Sequence, residues 1–293
     1  MKTLSVADLK QNLGPALDKL NKEGEQIVIE QQGATRAALV SYNEYLDFRE
    51  YMQRKAAKYR PFPALSPYSK TDRYEKTKED FKFIISRIKK AVDVKRALRV
   101  ADVGCANGEF IYALLKEFPH WEFTGYDITP EFIETARSFP GLARARFIND
   151  NLFNIPETFE LVLCVSMLQI FPDIERPLRK ILDICEKDGF IFATGLFNKH
   201  DIEVRLQYCD NTQEITKGLW RIDWNQHSQA SISRLIGDSV KSMEFEEMIM
   251  DLDLPLRPDQ PIRHFTFRDS MGRNIITNGL KLILNRTLMT INK

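Results

Sequence analysis

Long apolar runs are missing from this sequence. No stretch approaches the roughly 18 to 20 uninterrupted apolar residues of a membrane span, and the start, Met1-Lys2-Thr3-Leu4-Ser5-Val6-Ala7-Asp8, lacks a signal-peptide core. Both absences point away from a membrane and toward the cytoplasm. Cysteine is scarce as well. Cys105, Cys164, Cys185 and Cys209 show no CxxC spacing, and the chain has only four histidines. These cysteines therefore read as small buried residues in a reducing compartment, and neither a disulfide nor a metal site is expected. Excess charge is lacking too. With 42 Lys and Arg against 41 Asp and Glu, the net charge of +1 gives no compositional support to a highly basic nucleic-acid binder or an acidic disordered chain.

What is present is a length of 293 residues with 43% hydrophobic content, enough for a medium-sized domain and a small appendage. Residues 1–53 read as a compact α+β unit. A polar-capped helix runs from Ser5 or Asp8 through Leu20, and a hairpin follows from Gln26–Glu30 to Arg36–Ser41. Ser41 with Glu44 three residues on is a capping-box pattern for a further helix. Residues 54–70 read as a linker, stiffened by Pro61, Pro63 and Pro67. A second domain, 71–293, opens with a helix capped at Thr71-Asp72 whose apolar positions include Phe81, Ile84, Ile85 and Ile88. The excess of Lys and Arg between Arg54 and Arg96 reads as a solvated helix face, with attraction of an anionic substrate or of nucleic acid as the alternative.

From Ala97 strands and helices alternate. Strands are predicted at Leu98–Val103, Trp121–Asp127, Ala145–Asp150, Phe159–Val165 and Gly189–Thr194, with helices at Phe110–Phe118, Pro130–Phe139 and Ile174–Cys185 between them. This alternation predicts an α/β fold, a parallel sheet with helices on both faces. In such sheets ligands sit beyond the carboxyl ends of the strands, where strand order reverses. There the chain reads Asp102-Val103-Gly104-Cys105-Ala106-Asn107-Gly108. Glycines let backbone amides approach a ligand, and the following helix start suits a carboxylate. Asp102, Asp127 and Asp150 end three successive strands. An acid as near as Asp102 would repel a pyrophosphate but welcomes a cationic amino group or a sulfonium.

With these residues in place, the stretch from Ala97 to Gly195 resembles the class I S-adenosylmethionine-dependent methyltransferases, whose sheet is Rossmann-like and whose first motif is acid-x-Gly-x-Gly-x-Gly. Ala106 stands at the middle glycine. The resemblance implies that Asp102, Gly104, Cys105 and Gly108 line the methionine end of the cofactor. It implies that Asp127 takes the ribose hydroxyls and Ile128 packs on adenine. It implies further that Asp150, with the Asn151 backbone, binds the adenine amino group, and that Cys164, Val165 and Ser166 flank the reactive methyl.

The acceptor is less legible. Cys164-Val165-Ser166-Met167-Leu168-Gln169 is not the Asn/Asp-Pro-Pro-aromatic sequence of amino-methylating DNA enzymes. Two histidines are candidate catalytic bases: His200, with Asp201 available to orient it, and His227, which follows the aromatic run Trp220–Trp224. Residues 196–228 form a long insertion. A helix Gln229–Met243, a strand Met248–Leu254, a hairpin of Phe265–Phe267 against Asn274–Thr277 and a closing antiparallel strand Thr287–Ile291 complete the expectation. This finish resembles methyltransferases acting on sugars or natural products.

Residues 1–53 resemble the amino-terminal domain of prevent-host-death (Phd) antitoxins, through Leu4-Ser5-Val6-Ala7-Asp8-Leu9, Asn12-Leu13, Gly24–Ile29, Gly33, Ala38–Ser41 and Glu44-Tyr45. That resemblance implies dimerisation and often operator DNA binding. The near-neutral segment, with Glu30-Gln31-Gln32 in a turn that is commonly basic in the family, supplies few cations for phosphate. Two readings therefore stand. One is a homodimeric methyltransferase acting on a hydroxyl or amine of a small molecule. The other is a DNA-binding regulator or antitoxin whose enzyme domain is a sensor or modifies nucleic acid.

Overall fold

The computed structural model describes residues 2–23, 27–31, 34–41, 74–212, 217–218, 220–222, 224–249, 252–258 and 262–293. The chain divides into two compact units, Met1–Arg60 and Pro61–Lys293. The helix expected after Ser41, the linker at 54–70 and the Thr71-Asp72 cap lie outside the described residues.

In the first unit, β1 (Lys2–Ser5) leads into α1 (Val6–Glu23), then β2 (Ile27–Gln31) and β3 (Ala34–Leu39). β1 pairs parallel with β2, and β3 antiparallel with it. Ser5 caps α1 reciprocally: its Oγ donates to Asp8 Oδ2 at 2.6 Å and accepts from Asp8 N at 3.1 Å. Within the helix, Asn12 departs from helical geometry (φ −123°) three residues before Pro15, whose ring nitrogen cannot donate. Ala16, Leu20, Ile27 and Ile29 are buried, whereas Leu13, Leu17 and Val40 are exposed.

The second unit opens with α2 (Glu79–Ala91), which buries Phe81, Ile84, Ile85 and Ile88, one stripe at helical spacing. Several basic side chains of this region meet acids, as in Arg87–Glu246, Lys89–Glu117 and Arg96–Glu160. There follow β4 (Arg99–Val103), α3 (Glu109–Glu117), β5 (Glu122–Asp127), α4 (Pro130–Ser138), β6 (Arg146–Asn149), β7 (Phe159–Val165), α5 (Glu175–Ile184) and β8 (Cys185–Gly195). The insertion carries four two-residue strands, β9 (Phe197–Asn198), β10 (Tyr208–Cys209), β11 (Trp220–Arg221) and β12 (His227–Ser228). After it come α6 (Gln229–Ile236), β13 (Ser242–Glu247), β14 (Phe265–Arg268), β15 (Asn274–Thr277) and β16 (Thr287–Asn292).

Seven strands form one sheet in the order β13-β16-β8-β7-β4-β5-β6, in which β16 runs antiparallel to both neighbours. Alternation along the strands divides the core. Val100, Leu161 and Leu163 face α2 and α3, while Ala101, Val103, Val162 and Cys164 face α5 and α6. The α/β sheet with helices on both faces is thus as expected. Two local expectations are corrected. The helix after the insertion ends at Ile236, not Met243, and the next strand is Ser242–Glu247, not Met248–Leu254. Met243 and Phe245 alternate with Glu244 and Glu246, a period of two that fits a strand lying one face on the core.

Candidate active site

Strand order reverses between β4 and β7, so the crevice falls at their carboxyl ends. The loop leaving β4 is pinned from below. Gly104 N and Cys105 N donate to Tyr126 O at 2.8 and 3.0 Å, and Ala106 N donates to Asp127 Oδ2 at 3.0 Å. Such a tight path needs left-handed backbone at Gly104 (φ 79°), Ala106 (φ 47°) and Gly108 (φ 81°). At Gly108 a Cβ would also lie 2.8 Å from Leu142 Cδ1 and 2.9 Å from the Phe147 ring. Tyr74 OH braces the loop from outside, donating to Asn107 O at 2.6 Å.

Three carboxylates stand along this edge in different states. Asp102 is 3% exposed, and no described side chain or backbone amide donates to its carboxylate. Burial, with the Asp127 charge second, pushes it up to about 7. Asp127 is half-buried. Burial raises it, against the lowering effect of hydrogen bonds that include Thr129 N to Oδ1 at 2.9 Å. Asp150 follows β6 directly and its N donates to Asp127 O at 3.1 Å. Its Oδ1 accepts from Asn154 Nδ2 and from Asn151 N, which hold it below the usual carboxylate range. The Asn151 amide is thus engaged by Asp150, and Asn151 Oδ1 caps the turn that follows by accepting from Phe153 N. Ile128 is 49% exposed beside Asp127. Burial, then Asp102 and Asp127, push the Cys105 thiol up.

Val165 ends β7, and Ser166 turns left-handed (φ 58°) with its N donating to both Thr194 O and Thr194 Oγ1 at 3.0 Å. Met167 packs against the glycine loop, its Cγ and Sδ 3.3 Å from where a Gly104 Cβ would stand. Asn225 hooks the same post-β7 loop, giving both its N and Nδ2 to Gln169 O at 3.0 and 2.9 Å.

The two histidine candidates part company. His200 is exposed, with its backbone N on Asn198 Oδ1. Asp201 is engaged elsewhere, by Arg234 and by Ser228 Oγ, which hold it at about 2. His227 is 1% exposed, and its Nδ1 stands 3.2 Å from Glu203 Oε2 while Ser228 N donates to Glu203 Oε1 at 3.0 Å. Glu203, Gln169, Asn225 and Thr194 were not singled out from the sequence. Thr194 meets Ser166 through the pairing of β7 with β8, Asn225 meets Gln169 between distant loops, and Glu203 comes beside His227 next to the Val204–Gln226 bridge, contacts that leave no local pattern.

The methyltransferase domain family matches residues 94–233. Those residues form a methyltransferase domain. A second family, the Phd/YefM antitoxins of type II toxin–antitoxin systems, matches residues 1–56. Similar curated proteins include a malonyl-[acyl-carrier protein] O-methyltransferase of Acetivibrio thermocellus, 28% identical over 35% of this chain and 38% of that protein. A ubiquinone biosynthesis O-methyltransferase of Xylella fastidiosa (strain M23) is 37% identical over 37% of this chain and 46% of its own. The chain spans less than half the length of these relatives. Among solved structures, the YcgJ protein of Bacillus subtilis aligns with TM-score 0.48 at 15% identity, covering 73% of this chain and 97% of its own. The magnesium protoporphyrin IX methyltransferase of Synechocystis PCC 6803, solved with bound SAM, aligns with TM-score 0.43 at 14% identity over 88% of this chain and 100% of its own. The crevice beside β4 and β7 belongs to this methyltransferase domain, as does the insertion up to α6.

Proposed function

We propose that this protein transfers a methyl group from S-adenosylmethionine to a hydroxyl or amine of a small molecule, a sugar or natural-product intermediate. The observation that carries the reading is Asp102, a buried carboxylate to which no described group donates, beside a loop whose backbone turns left-handed at Gly104, Ala106 and Gly108. Such a carboxylate awaits a cation, and the amino group of the cofactor is one. When bound, the cofactor supplies a methyl carbon made electrophilic by its sulfonium.

In this reading Asp102, Gly104, Cys105 and Gly108 hold the methionine end. Asp127, its two oxygens oriented by Ala106 N and Thr129 N, takes the ribose hydroxyls. Ile128, exposed beside it, covers adenine, and Asp150 with Asn151 reaches the adenine amino group. Val165 lies by the methyl. Residues 1–53 act as a dimerisation domain joined through 54–70 to the enzyme at 71–293. The exposed Leu13, Leu17 and Val40 of the first unit support a homodimer. The cytoplasm fits a chain in which no described helix is long and apolar enough to cross a membrane.

Isothermal titration with S-adenosylmethionine tests the reading. One site per chain is expected. The D127A variant should bind about 10- to 100-fold more weakly, the worth of hydrogen bonds to a charged group. Absence of binding to the full chain would overturn it.

A further inference from the structure

We infer that the acceptor is a hydroxyl compound and that His227 removes its proton, positioned by Glu203. The inference rests on the methyltransferase reading above and narrows its substrate class.

Residues 225–228 bridge the carboxyl ends of the two strands that follow β4 in the sheet. Asn225 is fastened to Gln169, in the loop leaving β7, and His227 N donates to Leu196 O at 3.1 Å, directly past the end of β8. The post-β7 loop in turn touches the cofactor loop through Met167. His227 is therefore held at the edge where Asp102 and Gly104 lie. On this bridge two buried polar atoms, His227 Nε2 and Gln169 Oε1, have no hydrogen-bond partner among the described residues. Buried polar groups are rarely left without a partner, and a ligand, a water or an ion completes them.

The state of His227 follows from its other nitrogen. A carboxylate oxygen can only accept, so Nδ1 is the donor in the 3.2 Å contact with Glu203, and in the neutral ring Nε2 then carries the lone pair. A lone pair there, with Gln169 Oε1 as a second acceptor, calls for a ligand that donates. Glu203 Oε2 faces His227 Nδ1 and Oε1 accepts from Ser228 N, so the carboxylate orients the imidazole rather than the acceptor. A neutral hydroxyl fits. It is also the acceptor that needs a base, since it is a poor nucleophile until its proton leaves. In the step, the hydroxyl oxygen bonds to the methyl carbon as the carbon–sulfur bond breaks with its electron pair left on sulfur. The hydroxyl proton passes to His227 Nε2, and the Glu203 carboxylate balances the imidazolium.

The test uses the full chain, labelled S-adenosylmethionine, phenols of graded acidity and the matching anilines. Expected is oxygen methylation in preference to nitrogen. The H227Q variant should lose roughly 100-fold or more in kcat on a weakly acidic phenol, and only a few-fold on a phenol already ionised at the assay pH. A merely structural role would depress every phenol alike. E203Q should fall between wild type and H227Q, and both variants should keep the cofactor affinity of wild type in calorimetry. Independently of turnover, ¹⁵N NMR should find His227 protonated at Nδ1 and bare at Nε2. Equal losses across the phenols, preferred nitrogen methylation, the opposite tautomer, or no methylated phenol in a protein that binds the cofactor would each overturn the inference. Failure to bind the cofactor at all would instead strike the reading it rests on.

Discussion

Asp102 occupies a place that water would ordinarily have to supply with counter-dipoles, and the fold supplies none among the described residues. Its ordinary value near 3.8 rises to about 7, so the folded chain keeps a proton that the unfolded chain gives up. Stability from this group is therefore fully present below the unfolded value and is lost as pH climbs through about 7. A shift of this size corresponds to as much as about 4 kcal/mol above neutrality. The D102N variant should accordingly gain stability over wild type, more near pH 8 than near pH 5, in urea titrations of the ligand-free protein. Cofactor binding should show the reverse dependence. A cationic amino group prefers the ionised acid, so wild-type affinity should fall roughly tenfold between about pH 8 and pH 6, and D102N should bind weakly with little dependence on pH. Calorimetry in two buffers of different ionisation enthalpy would show the accompanying proton release. Asp102, Asp127 and Asp150 were legible in the sequence because strand ends are set by local alternation. The His227–Glu203 contact was not, because it spans 24 positions and is made where a loop residue meets a short strand beside the isolated Val204–Gln226 bridge.

The loop between β4 and α3 works as an element because its turns are backbone-limited at specific points. Gly104 and Gly108 share a left-handed φ, but only Gly108 is hemmed in by Leu142 and Phe147; Gly104 faces the movable end of Met167. The G104A variant should thus lose roughly 1 to 2 kcal/mol, the cost of a left-handed alanine. G108A should lose roughly 1 to 3 kcal/mol more, from overpacking. Urea midpoints at unchanged slope would show the difference. In α2, Ile88 is fully buried, and I88A should cost about 2 to 5 kcal/mol, consistent with a core truncation. The apolar face of α2 could be read directly from its 3.6-residue spacing. β1 could not, since four residues that pair with a strand beyond the next helix carry no period of their own. β13 was displaced in the sequence reading because Met248 through Leu254 is the more apolar run, whereas pairing with β16 selects the alternating Ser242–Glu247.

At the scale of the molecule, a segment that matches the Phd/YefM antitoxin family precedes the methyltransferase domain in the sequence. Leu13 and Leu17 are four apart on α1 and both exposed, a spacing that presents one apolar stripe to a partner. If two copies join there, the full chain should run as a dimer in light scattering, and the L13D/L17D variant should run as a monomer with cofactor binding intact. A promoter-DNA shift assay at physiological salt separates this from the regulator reading. With a net charge of +1, binding weaker than about micromolar is expected, and tighter binding that requires residues 1–53 would favour the regulator.

The antiparallel β16 has a bearing on how the protein is made. It lies between β8 and β13, pairing with one from Thr287 to Gly195 and with the other from Thr287 to Glu247. During translation, β8 must therefore wait through some ninety further residues, with one row of amides and carbonyls unsatisfied, before its neighbour emerges; β13 has no attachment to the sheet until then. A ribosome paused inside that interval holds a nascent chain with an open, apolar edge, the kind of surface that chaperones bind and that other nascent chains can extend.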